Sequence, residues 1–219
     1  MRTVVFDLDG TLADTSGDLI AAANACFRDL GHGDMLDPAR DQSTALRGAK
    51  AMLRLGFERL GQGEAGIDAQ FPLFLVHYRA NIDVFTTLYP GAEAAVEGLL
   101  AAGYKVGICT NKPEGLAELL MTRLGVRGLF HSLIGADTLP VRKPDPQPYL
   151  AAVERAGGMV AQSLLVGDTV TDRDTARAAG VPSILVTFGP DGSDVAALAP
   201  EAFLDNYADL AGIVAPLIG

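Results

Sequence analysis

The sequence predicts an α/β fold: a three-layer core on a parallel β-sheet, interrupted by an all-helical insert. Three observations carry this. From Leu88 onward, short apolar runs rich in β-branched residues alternate with helical patterns. One further run of the same kind, TVVF at 3–6, stands alone near the N-terminus. Between them, over about 16–85, no strand signal occurs and amphipathic helical patterns follow one another.

The elements are justified in order. TVVF is short and apolar, which suits a buried strand. The segment 16–31 spaces Leu19, Ala23, Phe27 and Leu30 for one helical face, and Gly31 stops it. Residues 48–61 repeat the pattern with Met52, Leu55 and Leu60. Residues 67–82 form a third helical candidate, with Pro72 near its first turn. Then come a helix over 92–103, a strand over 104–110, a helix over 114–125 and a strand over 132–137. A helix over 147–157, a strand over 163–168, a helix over 174–180 and a strand over 182–189 complete the alternation. The first strand joins the later ones in one sheet, which gives a core of 1–14 and 87–219 and a helical domain of 15–86.

Bulk properties limit the function classes. A chain of 219 residues accommodates one large domain, or a core plus an insert. A net charge of −10 offers no attraction to nucleic acid or to an anionic membrane, so a bound anion must rely on local features. Cys26 and Cys109 form no CxxC pair and read as reduced, buried thiols of a cytoplasmic protein. The N-terminal apolar run ends at Asp7, too short for a signal peptide. No run approaches the roughly 18 apolar residues of a membrane span. The expected state is a monomer or homodimer, with no nucleic-acid or membrane partner.

In a parallel sheet, ligands bind beyond the carboxyl ends of the strands, so the residues that follow each strand matter most. Asp7, Leu8, Asp9 and Gly10 follow the first strand. Thr110 and Asn111 follow the second, and Gly135, Ala136 and Asp137 follow the third, leading to Lys143 in RKPDP. Asp168 and Asp172, in GDTVTD, follow the fourth. Asp7 and Asp168 brought together leave adjacent anions, which need a proton or a cation. An oxygen-only set suits Mg²⁺. With a cation present, one carboxylate can attack a phosphate and a second can serve as acid and base. Lys143 and the Thr110 region would hold the phosphate oxygens.

Four motifs in order, DLDGT at 7–11, Thr110 in CTNK, Lys143 in RKPDP and GDTVTD at 167–172, resemble the haloacid dehalogenase (HAD) superfamily across essentially the whole chain. The resemblance implies a Rossmann-like core with an inserted helical cap of the C1 type. It implies Asp7 as nucleophile and Mg²⁺ ligand, and Asp9 as general acid and base with its backbone carbonyl on the metal. It implies Thr110 and Asn111 as phosphate holders, beside Gly10, where the backbone bends sharply. Lys143 neutralises the nucleophile, Asp168 binds the metal, and Asp172 supports the site by orienting water or Lys143. The second aspartate, Asp9, favours phosphoryl chemistry over dehalogenation, because a halide needs no proton. The segments 44–57 and 88–114 are similar to the phosphoglycolate phosphatase branch. A substrate with a second anion would need a further cation, for which Arg47 and Lys50 are the candidates.

The expected function is therefore a Mg²⁺-dependent phosphomonoester hydrolase working through an aspartyl-phosphate, with 2-phosphoglycolate as the leading substrate. The alternatives are a sugar-phosphate phosphatase or a β-phosphoglucomutase-like phosphotransferase, then a 2-haloacid dehalogenase or a non-catalytic binding protein. A calcium loop starting at Asp7 is excluded. Its sixth position would be Leu12 instead of glycine, and its twelfth Asp18 instead of glutamate. His32, His77 and His131 show no metal or triad pattern and are read as structural.

Overall fold

In the computed structural model, which describes residues 1–189 and 192–219, the chain divides into two units, Met1–Ala13 with Leu88–Gly219, and Asp14–Thr87. The elements run β1 (Thr3–Phe6), β2 (Ala13–Asp14), α1 (Ser16–Asp29), α2 (Gln42–Ala45), α3 (Ala49–Arg59), α4 (Ile67–Ala80) and β3 (Thr87–Leu88). They continue as α5 (Ala92–Ala101), β4 (Lys105–Cys109), α6 (Glu114–Arg123), β5 (Ser132–Ile134), α7 (Gln147–Arg155) and β6 (Ser163–Gly167). The last are α8 (Val170–Ala179), β7 (Ser183–Val186), β8 (Ala202–Leu204) and α9 (Leu210–Ile218).

Among the described residues, six strands of the first unit form a parallel sheet in the order β5-β4-β1-β6-β7-β8. β1 lies inside it, with Val5 opposite Gly107 of β4 and Leu165 of β6. All four β1 residues are buried, as expected of a strand covered on both faces. Side chains alternate across the sheet. Val5 and Leu165 pack with Tyr149, Ala152 and Val153 of α7 and with Ala176 of α8. Their neighbours Val4, Phe6, Leu164 and Val166, also fully buried, take the other face. There α9 packs on β6 and on α5, which in turn packs on β4. This is the α/β, three-layer, Rossmann-like arrangement the alternating pattern predicts. The chain passes into the helical unit through β2 and returns through β3.

The helical unit has its own core. α1 packs on α4 and α3, and Phe27 meets Phe57 edge to face at 5.2 Å. That contact requires Gly56, because a Cβ there would lie 2.2 Å from the Phe27 ring. Asp41 is buried and takes two hydrogen bonds from the Arg59 guanidinium, at 2.6 and 2.7 Å. These bonds hold its carboxyl below the usual carboxylate range. Asp18 accepts from the backbone amides of Phe85 and Thr86 and from the Thr86 hydroxyl, which ties the unit's last segment to α1.

The structure corrects the sequence reading at several elements. α2 was not expected, since four residues carry no periodicity. The helix expected over 174–180 begins at Val170, because Thr169 and Asp172 form a capping box. The strand expected over 132–137 stops at Ile134. The sixth strand and the last helix were not anticipated. β8 has three residues, and α9 (LAGIVAPLI) has no polar face to reveal a period and carries Pro216 inside it. Among the described residues no helix is long and apolar enough to cross a membrane.

Two glycine-to-alanine substitutions should move stability in opposite directions, as read from urea midpoints. Gly98 is inside α5 with nothing within 4 Å of an added Cβ, so Gly98→Ala gains about 0.5–1 kcal/mol from helix propensity. Gly56→Ala gains the same propensity, but overlap with Phe27 dominates and the net is a loss of about 1–3 kcal/mol.

Candidate active site

Asp7 is the first residue beyond β1, and its N–H still donates to Val166 O of β6 at 2.8 Å. β1 is where the chain's strand order reverses, with β4 and β5 on one side and β6 to β8 on the other. Ligand sites in such sheets form beyond the strand ends at this switch point. The chain then turns tightly. Leu8 O accepts from the N–H groups of Thr11, Leu12 and Ala13, and Gly10 N donates to Ala13 O at 2.9 Å. Gly10 has φ +81°, the left-handed region that glycine adopts without strain. The Asp-Gly turn signal and the carboxylates are thus one feature.

Lys143 comes from the loop between β5 and α7 and is almost fully buried. Its Nζ donates to Asp172 Oδ1 at 2.6 Å and lies 3.1 Å from Asp7 Oδ2. Asn111 supports this loop, its Nδ2 donating to Lys143 O at 3.1 Å. Asp172 has a second set of partners: its Oδ2 accepts from Asp168 N, Thr169 N and Thr169 Oγ1 at 3.3, 3.1 and 2.8 Å. Gly167 makes room for it, since a Cβ there would lie 2.3 Å from Asp172 Cγ. The GDTVTD spacing therefore has a steric reason, and Asp172 is both a helix cap and a lysine partner.

Asp168 is buried and accepts from Thr11 Oγ1 at 3.0 Å. Thr110 is buried at the end of β4, its N–H donating to Ile134 O at 2.9 Å. Asp9 Oδ1 accepts from Lys112 Nζ at 2.7 Å.

The electrostatics follow from burial. Asp7 is pushed up to about 6, chiefly by loss of water; Lys143 opposes this, while Asp172 and Asp9 add to it. Burial also raises Asp168 well above the usual carboxylate range, and the charges of Asp172 and Asp7 add to the effect. Burial works against the Lys143 ammonium, but Asp172 and Asp7 more than offset it and hold it charged. Cys109 is pushed up to about 12 by burial, so it is an inert core thiol.

A cation fits here. Carboxylate oxygens of Asp7, Asp168 and Asp172 lie within 4.8 Å of one another. With Asp9 included, four carboxylates face two ammonium groups, Lys112 and Lys143, which leaves two negative charges when all are ionised. One hard divalent ion matches both the charge and the oxygen-only donor set. The carboxylates that converge are Asp7 and Asp168, both named from the sequence, together with Asp172; Asp9 was named through its backbone carbonyl and not through its carboxylate.

The other candidates are placed as follows. Lys50 in the helical unit pairs with Asp68 at 2.7 Å and lies 5.4 Å from the Phe71 ring centre. Arg47 is exposed in the turn between α2 and α3. Asp137 accepts from Glu114 N at the start of α6. Asp14 accepts from Ser16 N and Oγ at the start of α1. His131 Nδ1 accepts from Val106 N, a structural contact.

Sequence reasoning missed several contributors. Lys112 was quoted within CTNK but given no role, because a lone lysine after a strand has no spacing signature. Thr11 was part of the first motif without a function. Tyr207 lies in the C-terminal segment, which carries no motif. Its hydroxyl donates to Thr11 O at 2.8 Å, and Phe188 packs between it and Tyr89. Gly189 lets its loop approach: a Cβ there would be 3.2 Å from both Asp168 Cβ and Gly10 O.

A haloacid dehalogenase-like hydrolase family model matches residues 1–180. The chain is 38% identical over 210 residues to the phosphoglycolate phosphatase of Agrobacterium fabrum, covering 94% of this chain and 89% of that one. It is 41% identical over 188 residues to that of Xylella fastidiosa strain 9a5c, covering 86% and 81%. A crystal structure described as a predicted phosphoglycolate phosphatase from Haemophilus somnus superposes with a TM-score of 0.85 at 25% identity, covering 97% of both chains.

In metal-free protein, kept so by chelator, the raised Asp7 carboxyl makes stability depend on pH. Its folded value, about 6, exceeds the ordinary 3.8, so stability from this group is present below pH 4 and is lost as pH rises to about 6. Asp7→Asn should melt higher than the parent chain at pH 7–8, and the two should converge near pH 4. The gap at neutral pH should be on the order of 1–3 kcal/mol. A divalent cation should raise the melting temperature of the parent chain more than that of Asp7→Asn.

Proposed function

Because the chain belongs to the haloacid dehalogenase-like hydrolases and is a phosphatase, we propose that it hydrolyses 2-phosphoglycolate, or a closely similar small phosphorylated acid, through an aspartyl-phosphate on Asp7. The observation that carries this reading is Asp7 itself. It is a carboxylate at the switch point of the sheet, 3.1 Å from Lys143 and clustered with Asp168.

An Asp7 carboxylate oxygen attacks phosphorus, and the bond from phosphorus to the ester oxygen breaks. Asp9 gives its proton to the departing oxygen, so the product leaves as an alcohol. Water then attacks the phosphorus of the acyl-phosphate, its proton passes to Asp9, and phosphate is released with Asp7 restored. Lys143 screens the charge of the incoming phosphate against Asp7. Gly10, Thr110 and Asn111 line the strand ends where the phosphate oxygens would be held. Asp7, Asp168 and the Asp9 carbonyl would hold Mg²⁺, with Asp172 keeping Lys143 in place. When bound, Mg²⁺ supplies positive charge that lets an anionic nucleophile approach an anionic phosphate.

The substrate proposal is supported by the curated relatives named above, which match over most of both chains. The helical unit is proposed as the cap domain. Arg47 and Lys50 are its candidate contacts for the substrate carboxylate.

A panel of phosphate esters with Mg²⁺, ranked by kcat/KM, tests the reading. 2-Phosphoglycolate should rank first, ahead of glucose phosphates, and a 2-haloacid should release no halide. Asp7→Asn should lower kcat/KM at least about 10⁴-fold, as loss of a nucleophile does. Arg47→Ala should raise KM for 2-phosphoglycolate while leaving p-nitrophenyl phosphate little changed. A glucose phosphate at the head of the panel would replace the substrate but keep the chemistry. Unaltered turnover in Asp7→Asn would sink the mechanism.

A further inference from the structure

The geometry points to Lys112 as the residue that positions Asp9 for proton exchange with the departing alcohol. The inference rests on the acid–base role proposed for Asp9.

Lys112 Nζ donates to Asp9 Oδ1 at 2.7 Å, the short distance of a charge-assisted bond. The lysine side chain is 4% exposed. Lysine is almost never buried without a charged partner, so the pair accounts for its placement. The Lys112 backbone is held from two sides. Its N–H donates to Thr110 Oγ1 at 3.2 Å, and its carbonyl accepts from Ala136 N at 2.9 Å. The residues beyond β4 and β5 therefore grip the stem of the lysine. Pro113 follows it with φ −52° and caps α6, so the chain on that side is stiff as well.

Asp9 needs such a hold. Its loop is fixed through the Leu8 carbonyl, but backbone bonds leave the rotamer of a carboxylate undetermined. A general acid must come within about 2.6–3.2 Å of the atom it protonates. A displacement of about 1 Å can cost on the order of 100-fold in rate. An ammonium on one carboxylate oxygen sets the orientation of the group. The site thus contains two lysines from different loops in three carboxylate pairs, Lys143 with Asp7 and Asp172, and Lys112 with Asp9.

A lysine that acts through Asp9 differs from one that merely stiffens the loop or binds substrate, and the leaving group separates them. An alkoxide needs a proton to depart, whereas p-nitrophenolate departs without one. The experiment compares kcat/KM for the best alkyl phosphate of the panel with that for p-nitrophenyl phosphate. It uses the parent chain, Lys112→Met, Lys112→Arg, Asp9→Asn and the Asp9→Asn/Lys112→Met double variant. In Lys112→Met the loss on the alkyl ester should exceed the loss on p-nitrophenyl phosphate at least about tenfold, within the range of general acid catalysis. Lys112→Arg should recover part of it. In the Asp9→Asn background, Lys112→Met should add no further selective loss.

Equal losses on both esters, or losses that multiply in the double variant, would overturn the inference. Asp9→Asn losing both esters equally would instead remove the acid role of Asp9, and the inference with it. Asp9→Asn selective beside an unselective Lys112→Met would remove the inference alone. Should Lys112→Met melt below the assay temperature, Lys112→Gln serves in the same comparison.

Discussion

Three carboxylates beyond the strand ends of a parallel sheet set the problem that the surrounding residues solve. Asp7, Asp168 and Asp172 lie within 4.8 Å of one another, and taking an ion out of water costs several kcal/mol unless it is paired. Each has a specific compensation. Lys143 bridges Asp172 and Asp7. The first amides of α8 and the Thr169 hydroxyl satisfy Asp172. Thr11 satisfies Asp168, and the Leu8 amide donates to Asp7 at 2.7 Å. The remaining negative charge matches one divalent cation.

That deficit is what a cation at this site would offset. Asp7 feels the same crowding: burial and like charges disfavour its ionised form, and Lys143 recovers only part of the difference. Perturbed groups of this kind gather where chemistry occurs. The same cluster explains small residues nearby. Gly167 yields space to Asp172, and Gly189 lets its loop approach Asp168 and Gly10. Compact packing buries Asp168 and Asp172 and strengthens the interactions they make.

The family match ends at residue 180, yet the fold around the site extends further. β8 and α9 complete the sheet and its outer layer. Tyr207 reaches from this segment to the Thr11 carbonyl, beside the hydroxyl that holds Asp168. Similarity to the curated relatives also runs through the helical unit, since the alignment with the Agrobacterium protein spans 94% of the chain. In the proposed reaction the core residues address the phosphoryl group, which all phosphomonoesters share. Choice among substrates belongs to residues that meet the rest of the molecule.

The linear pattern was enough for the layers, the parallel sheet and the helical insert, because burial on both faces demands continuous apolar strands and amphipathic helices. It also named Asp7, Asp9, Thr110, Lys143, Asp168 and Asp172, because each follows a strand and strand ends in such sheets converge. Short or featureless elements escaped it, as β8 and α9 did, since three residues or an unbroken apolar run show no period. The resemblance implied Lys143 beside Asp7 and Asp172, and both contacts are present. Other pairings escaped the sequence: that Lys112 belongs to Asp9 and that Tyr207 braces Thr11 depend on contacts up to 196 residues apart in the chain. A sequence records which groups carry charge. The folded chain determines which charges meet out of water, and that sets their protonation and their use.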